Sequence, residues 1–158
     1  MNKKVFAIAA ALVLLTLWTV GSAYAQSDSL FCNNKLITGT YGFTIEGAKL
    51  GGTAPLPMVG VAMTQFDGAG NLTQIDTVVV NGFVLADFTH TPATGTYTVN
   101  PDCTGTFTIN FTDHRPSPVV TNFVVVENGS EIDTVVISVN ATQGLLATRS
   151  IGKRRFFW

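Results

Sequence analysis

The stretch GTYTVNPDCTGTFTINF, residues 95–111, alternates apolar and polar residues on both sides of a short turn. Tyr97 and Val99 precede the turn, Phe107 and Ile109 follow it, and one threonine separates the members of each pair. Successive side chains of a strand point to opposite faces, so the four apolar residues share one face. The stretch therefore predicts an antiparallel hairpin with one buried face and one threonine-rich solvent face.

The same pattern recurs along the chain, and helical periodicity is absent after residue 26. Short segments rich in Thr, Val, Ile, Phe and Tyr alternate with turn residues, which is typical of strands. We expect strands near residues 39–46, 58–67, 71–80, 83–90, 95–100, 105–112, 119–127, 131–139 and 144–151. Asn81-Gly82 and Asn128-Gly129 are dipeptides that two-residue type I′ turns prefer, because both positions tolerate positive φ.

Nearly every connection between the expected strands is short, which favours a meander in which each strand pairs with the next. A β-sandwich, the alternative, would need longer crossings between its sheets. Closing the meander into a ring removes the unpaired edges that invite aggregation. The sequence therefore predicts an all-β fold, a single antiparallel up-and-down β-barrel of about eight strands.

Residues 1–25 have the three parts of a bacterial-type signal peptide. Lys3 and Lys4 precede an apolar run over residues 5–20, and Ala23-Tyr24-Ala25 supplies the small residues of a cleavage site. The competing interpretation, a membrane anchor, needs an apolar run of about 20 residues. We expect a signal peptide over 1–25 and one barrel domain over 26–158, secreted or periplasmic, with membrane contact only during export.

The two cysteines, Cys32 and Cys103, both lie in the part expected to be exported. Two thiols in one small exported domain favour a disulfide. The bridge would close a loop of about 70 residues and stabilise the fold by about 4 kcal/mol in the chain-entropy model. We expect it to tie the N-terminal segment to the turn between two central strands.

Charge argues against nucleic acid as a partner, because seven basic and ten acidic side chains remain once residues 1–25 are removed. The terminal KRRFFW resembles the assembly signal of outer-membrane barrels, but the polar strand faces argue against a lipid-facing surface. Residues 78–80, 124–126 and 135–137 are apolar on both faces. They predict cover by a second subunit or a chain end, the alternative being plain β-propensity on an exposed face.

Few side chains suggest chemistry. The catalytic candidates are His90, His114 and Asp76, the last as a polar group of the lumen. Alternation places Glu46 outside the barrel and leaves the orientations of both Asp76 and Asp133 open. Two isolated histidines and two separated cysteines have no metal-ligand spacing, so we expect no metal and no cofactor.

The phrases GTYGF at 39, FDGAGN at 66 and GTYTVNPDCTGT at 95 resemble those of an uncharacterised group of exported bacterial proteins. The architecture presumed for that group resembles the small barrels of the allene oxide cyclase and dirigent type. The likeness covers roughly residues 38–150. It implies a hydrophobic lumen that guides a reactive substrate, often within a dimer or trimer. None of the functional residues of those families matches a position of this chain.

We expect an exported barrel that binds a small apolar ligand in its lumen or mouth. The alternatives are a cyclase- or isomerase-type enzyme in the same lumen, and a structural or surface protein whose barrel is filled with side chains. Lumen volume and polarity distinguish the three, because an eight-stranded barrel is just wide enough to be filled or to hold one ligand.

Overall fold

The structure is a computed structural model that describes residues 31–142 and 145–156. Nine strands dominate it, and two short 3-10 helices span Asn34–Ile37 and Glu127–Gly129. The strands are β1 (Gly39–Lys49), β2 (Leu56–Phe66), β3 (Asn71–Val80), β4 (Phe83–Ala86), β5 (Ala93–Val99), β6 (Thr104–Asn110), β7 (Val119–Val126), β8 (Glu131–Val139) and β9 (Leu146–Arg154).

Eight of these strands form a closed antiparallel ring. β1 pairs with both β2 and β9, and the remaining ring strands follow in chain order from β9 back to β5. The ring closes because β3 pairs with β2 on one side and with β5 on the other. β4 pairs with β3 and lies outside the ring. The all-β fold class and the up-and-down barrel are therefore confirmed, and the sandwich is excluded.

Two local expectations were wrong. The strand expected over 83–90 ends at Ala86, because Asp87 accepts hydrogen bonds from the backbone and hydroxyl of Thr89 and turns the chain. Asn128-Gly129 is not a two-residue turn, since Glu127 also has a positive φ of 47° and four residues separate the paired ends of β7 and β8. The Gly129 carbonyl accepts a hydrogen bond from the Tyr41 hydroxyl, a tertiary contact that holds this wider loop.

An aromatic cluster fills one half of the barrel. Phe66 packs edge-on against Tyr97, with ring centroids 4.9 Å apart, and against Tyr41 at 5.6 Å. Phe107 stacks on Phe123 at 5.6 Å. Each of these rings buries a large apolar area, and the burial of apolar area is the largest stabilising term of such a fold.

Glycines on the neighbouring strands give the rings room. A Cβ at Gly152 would lie 2.3 Å from the ring of Phe43, and one at Gly105 would lie 2.2 Å from the ring of Phe123. Neither distance is compatible with a side chain. The two glycines therefore let the aromatic side chains lie flat against the barrel wall.

The N-terminal segment closes the aromatic end of the barrel. Cys32 is bonded to Cys103 in the β5–β6 turn, with Cα atoms 5.0 Å apart, so the predicted disulfide is confirmed. Asn34 accepts a hydrogen bond from the backbone of Val99 at 2.8 Å, and Ile37 is fully buried. Together these contacts make a plug over one mouth of the ring.

The export and localisation predictions fall mainly on residues 1–25, which lie outside the described residues. The disulfide is compatible with an oxidising compartment. Within the described ranges, neither short helix has the length or apolar character to cross a bilayer. The KRRFFW end lies partly outside the description: Arg154 ends β9, Phe156 is exposed, and residues 157 and 158 are not described.

The outer wall keeps several exposed apolar side chains. Val124 and Val135, from two of the runs predicted to be apolar on both faces, are 42% and 50% exposed. β4 adds Phe83 and Val84, and both are largely exposed. Cover by a second subunit stays a prediction.

Replacing both cysteines, Cys32→Ser with Cys103→Ser, should lower the free energy of unfolding by about 2–5 kcal/mol, since a long loop is no longer closed in the unfolded chain. Urea unfolding followed by circular dichroism measures the change. Reduction of the wild-type protein is the matched control and should give the same loss. A double variant as stable as the oxidised protein would contradict the anchoring role.

Gly152→Ala should destabilise the barrel by about 1–3 kcal/mol, because the new methyl group overlaps the Phe43 ring. Gly42→Ala on β1 is the matched control: the nearest atom to its added Cβ is 3.9 Å away. Urea unfolding of the two variants should separate them, and equal stabilities would refute the packing role of Gly152.

Candidate functional site

The half of the lumen beyond the aromatic cluster is hollow. A cavity of about 210 Å³ opens at the end of the barrel opposite the N-terminal plug. Its wall is mostly apolar, and aromatic and aliphatic side chains of several strands contribute. The main apolar lining residues are Phe43, Ile45, Met58, Val78, Phe107, Ile109, Phe111, Val136 and Leu146.

Period-2 alternation explains how the lumen wall is built. Ile45 on β1, Met58 on β2 and Ile109 on β6 point inward, while their chain neighbours point to solvent or to the outer face. The same alternation places a few polar side chains inside, on β3 and on β7–β9. A blind apolar chamber with a few inward polar groups is the ordinary composition of a small-molecule site.

Asp76 of β3 is a buried carboxylate in this wall, 2% exposed. Arg115 Nη1 lies 2.9 Å from both of its oxygens. His90 Nε2 lies 2.7 Å from Oδ1, and the Gln74 amide donates to Oδ2 at 3.2 Å. Donors therefore surround both oxygens, which is the condition for keeping a charge in a protein interior.

Arg115 comes from the loop between β6 and β7 and joins two carboxylates. Besides Asp76, it holds Asp113, to which its Nε donates at 2.8 Å. Its guanidinium carbon lies 3.7 Å from the centre of the Phe111 ring, a cation–π contact. The hydrogen bond from Arg115 lowers the pKa of Asp113. Arg115 thereby fixes the loop across the wall of the cavity.

His90 fills a gap in the ring. β3 pairs with β5 over residues 71–74 and with β4 over residues 78–80, which leaves residues 75–77 without a strand on that side. The imidazole lies against this gap, with Nε2 also 3.1 Å from the Asp76 backbone carbonyl. Its side chain is only 10% exposed.

Both ring nitrogens of His90 face acceptors. Nδ1 lies 2.8 Å from the Thr91 carbonyl, and Nε2 lies 2.7 Å from the Asp76 carboxylate. The nearest groups that can donate to Nε2, the Asp76 amide and Arg115 Nη2, are longer at 3.4 Å. The arrangement therefore fits a doubly protonated ring.

The pKa of His90 reflects the same contacts. Desolvation of the ring lowers it, but the hydrogen bonds to Thr91 and Asp76, together with the Asp76 charge, outweigh that effect and leave the pKa raised. With His90 protonated, two cations balance the carboxylates of Asp76 and Asp113. We name these four residues, His90, Arg115, Asp76 and Asp113, the charge cluster.

The three predicted catalytic residues do not lie together in the structure. Asp76 and His90 meet in the lumen wall, whereas His114 is exposed and has no hydrogen bond within the described residues. Any catalytic role for the three stays a prediction. Sequence reasoning missed Arg115, since an arginine next to His114 in a polar loop is normally solvated. Its only signal was the neighbouring Asp113, which pairs with it.

Two further carboxylates lie on the outer face. Glu46 is outside, as alternation predicted, and accepts from Arg149 Nε at 2.6 Å. Asp133 also belongs to the outer face, between Val124 and Ile151 on the adjacent strands. Within the described ranges, no three His, Cys, Asp or Glu side chains are grouped so as to hold a metal ion.

The His90 contacts predict a pH-dependent stability. A pKa raised above its ordinary value of 6.5 means that the folded state binds the proton more tightly, so the contribution is complete below about pH 6.5 and is lost as pH rises through the folded pKa. His90→Gln should lower stability at pH 6 by about 1–2 kcal/mol, the size of a charged hydrogen bond, and should flatten this decline.

Urea unfolding at a series of pH values between 5.5 and 8.5 checks the prediction. The matched control is His114→Gln, which removes an exposed histidine and should keep the wild-type pH profile. If His90→Gln follows the wild-type profile in parallel, His90 is not the titrating group.

Two comparisons with known proteins were negative. No protein-family model matches this chain, and a search of curated proteins finds no similar sequence. The resemblance to allene oxide cyclase and dirigent barrels therefore stays an expectation from turn and strand phrases. The geometry of the lumen is the basis on which a function is proposed below.

Proposed function

We propose that this protein binds a small, mostly apolar molecule in the open half of its barrel. The observation that carries the proposal is the blind apolar cavity of about 210 Å³. An engineered cavity of about 150 Å³ in another protein stays dry and binds benzene, so the volume here suits a slightly larger molecule. Natural interiors seldom keep a void of this size, because its lining loses packing contacts.

The charge cluster favours binding over catalysis in this lumen. A general base needs a free lone pair within reach of the substrate. The Asp76 oxygens accept from Arg115, His90 and Gln74, and both His90 nitrogens lie against oxygen atoms. Neither residue offers an unengaged basic atom, so the cyclase or isomerase alternative has less support. The hollow lumen likewise gives less support to a structural barrel filled with side chains.

The setting of this activity is proposed to be outside the cytoplasm. The bridge between Cys32 and Cys103 is compatible with an oxidising compartment, and the signal-peptide pattern over residues 1–25 supports export. A barrel of this kind would act as a secreted or periplasmic carrier or sensor of its ligand.

The test is binding of p-cymene, an apolar one-ring hydrocarbon of ten carbons, followed by protein-observed NMR. We expect a Kd below about 1 mM, a modest affinity for a ligand of this size. Ala62 is buried in the cavity wall, so Ala62→Leu fills the lumen and should weaken binding at least about tenfold. Ala147→Leu on the exposed face of β9 is the matched control and should leave Kd unchanged.

Val119→Trp at the rim of the cavity supplies a second variant, which blocks access without entering the deeper packing. Should Ala62→Leu fail to fold, Val119→Trp is expected to show the same loss of binding. Saturable binding that both lumen variants leave intact would move the site to the outer surface and overturn the proposal. No p-cymene binding by the wild-type protein would also count against it.

A further inference from the structure

The hydroxyl of Thr148 on β9 is a buried polar group without a partner. Thr148 lies at an inward position of the strand, lines the cavity and is 7% exposed. Its Oγ1 is shielded from solvent and has no hydrogen-bond partner. Buried polar atoms are nearly always paired, so each exception requires a physical explanation.

Several other polar side chains of the same barrel interior have partners. Thr64 donates to Gln74 at 2.8 Å across β2 and β3. Thr134 on β8 and Ser150 on β9 share a hydrogen bond of 2.5 Å. Thr148 is one inward residue away from Ser150 on β9, yet its hydroxyl is unpaired. Thr148 lines the cavity, so rotation about its Cα–Cβ bond would turn the hydroxyl toward a molecule bound there.

The charged residues of the cavity wall indicate whether the bound molecule carries a charge. Asp76 and Arg115 are the charged groups deep in the lining, and both are already paired within the charge cluster. Lys49, the other charged lining residue, is exposed at the end of β1. A ligand charge inside the cavity would therefore be desolvated without a counter-charge, which is strongly unfavourable.

From these observations we infer that the ligand is a neutral compound with a single hydroxyl or carbonyl group, which is hydrogen-bonded by the Thr148 hydroxyl while its apolar remainder fills the lumen. This inference rests on the proposed function and specifies its ligand class. A hydroxyl group both donates and accepts, so it serves an alcohol or a ketone equally well.

Three ligands of one skeleton test it: p-cymene, 4-isopropylbenzyl alcohol and 4-isopropylbenzoate, which differ only in a methyl, hydroxymethyl or carboxylate group. Thr148→Val removes the hydroxyl and keeps the shape. Thr44→Val on the exposed face of β1 is the matched control. Calorimetry or NMR titration gives Kd for each ligand with each variant.

We expect the wild-type protein to bind the alcohol at least as tightly as p-cymene and much more tightly than the carboxylate. Thr148→Val should weaken alcohol binding about fivefold to tenfold, the usual effect of one hydrogen bond, and leave p-cymene binding unchanged or stronger. Because it removes an unpaired buried hydroxyl, its melting temperature should be equal to or above that of the wild type.

The outcomes separate the two proposals. If p-cymene binds but the alcohol loses no affinity in Thr148→Val, or the carboxylate binds best, the ligand class is wrong and the binding function stands. If Thr44→Val weakens the alcohol as much as Thr148→Val does, the assignment to Thr148 is overturned. Failure of all three ligands to bind contradicts the proposed function itself.

Discussion

The whole barrel depends on β3, the strand that has three partners. It pairs with β2 along nearly its full length, and this contact closes the ring. On its other side, β5 covers its first residues and β4 its last ones, with a gap at residues 75–77. Unpaired backbone in a closed ring needs other partners. The His90 ring supplies one at the Asp76 carbonyl, so the gap, the extra strand and the charge cluster have one origin.

The two halves of the lumen differ because large and small residues are distributed unevenly along the strands. Near the plug, aromatic rings meet across the ring and glycines such as Gly152 and Gly105 make space for them. Toward the open mouth the wall is mostly aliphatic, and a cavity of about 210 Å³ remains between opposite strands. The plugged half supplies stability, and the open half keeps its volume without weakening the core.

Sequence reasoning predicted the features that depend on neighbouring residues. The alternation of Tyr97, Val99, Phe107 and Ile109 gave the hairpin, and the short turns gave the meander. Cys32 and Cys103 allowed a single pairing. The features that were missed depend on distant residues: Arg115 reaches Asp76 across 39 positions, and β5 passes over β4 to pair with the first residues of β3. The alternation of residues along one strand does not determine which loops contact each other, nor how much space remains between opposite walls of the barrel.

The charge cluster contributes more to the shape of the cavity than to stability. Buried ion pairs give little net stabilisation, because desolvation offsets most of the attraction. The role of the charge cluster is to fix the positions of two loops. Asp76 sits on a rigid strand, His90 belongs to the loop after β4, and Arg115 belongs to the loop after β6, so one carboxylate fixes two loops. Arg115 and Pro116 line the cavity. Loss of one partner would leave an uncompensated buried charge and release one of the two loops from β3.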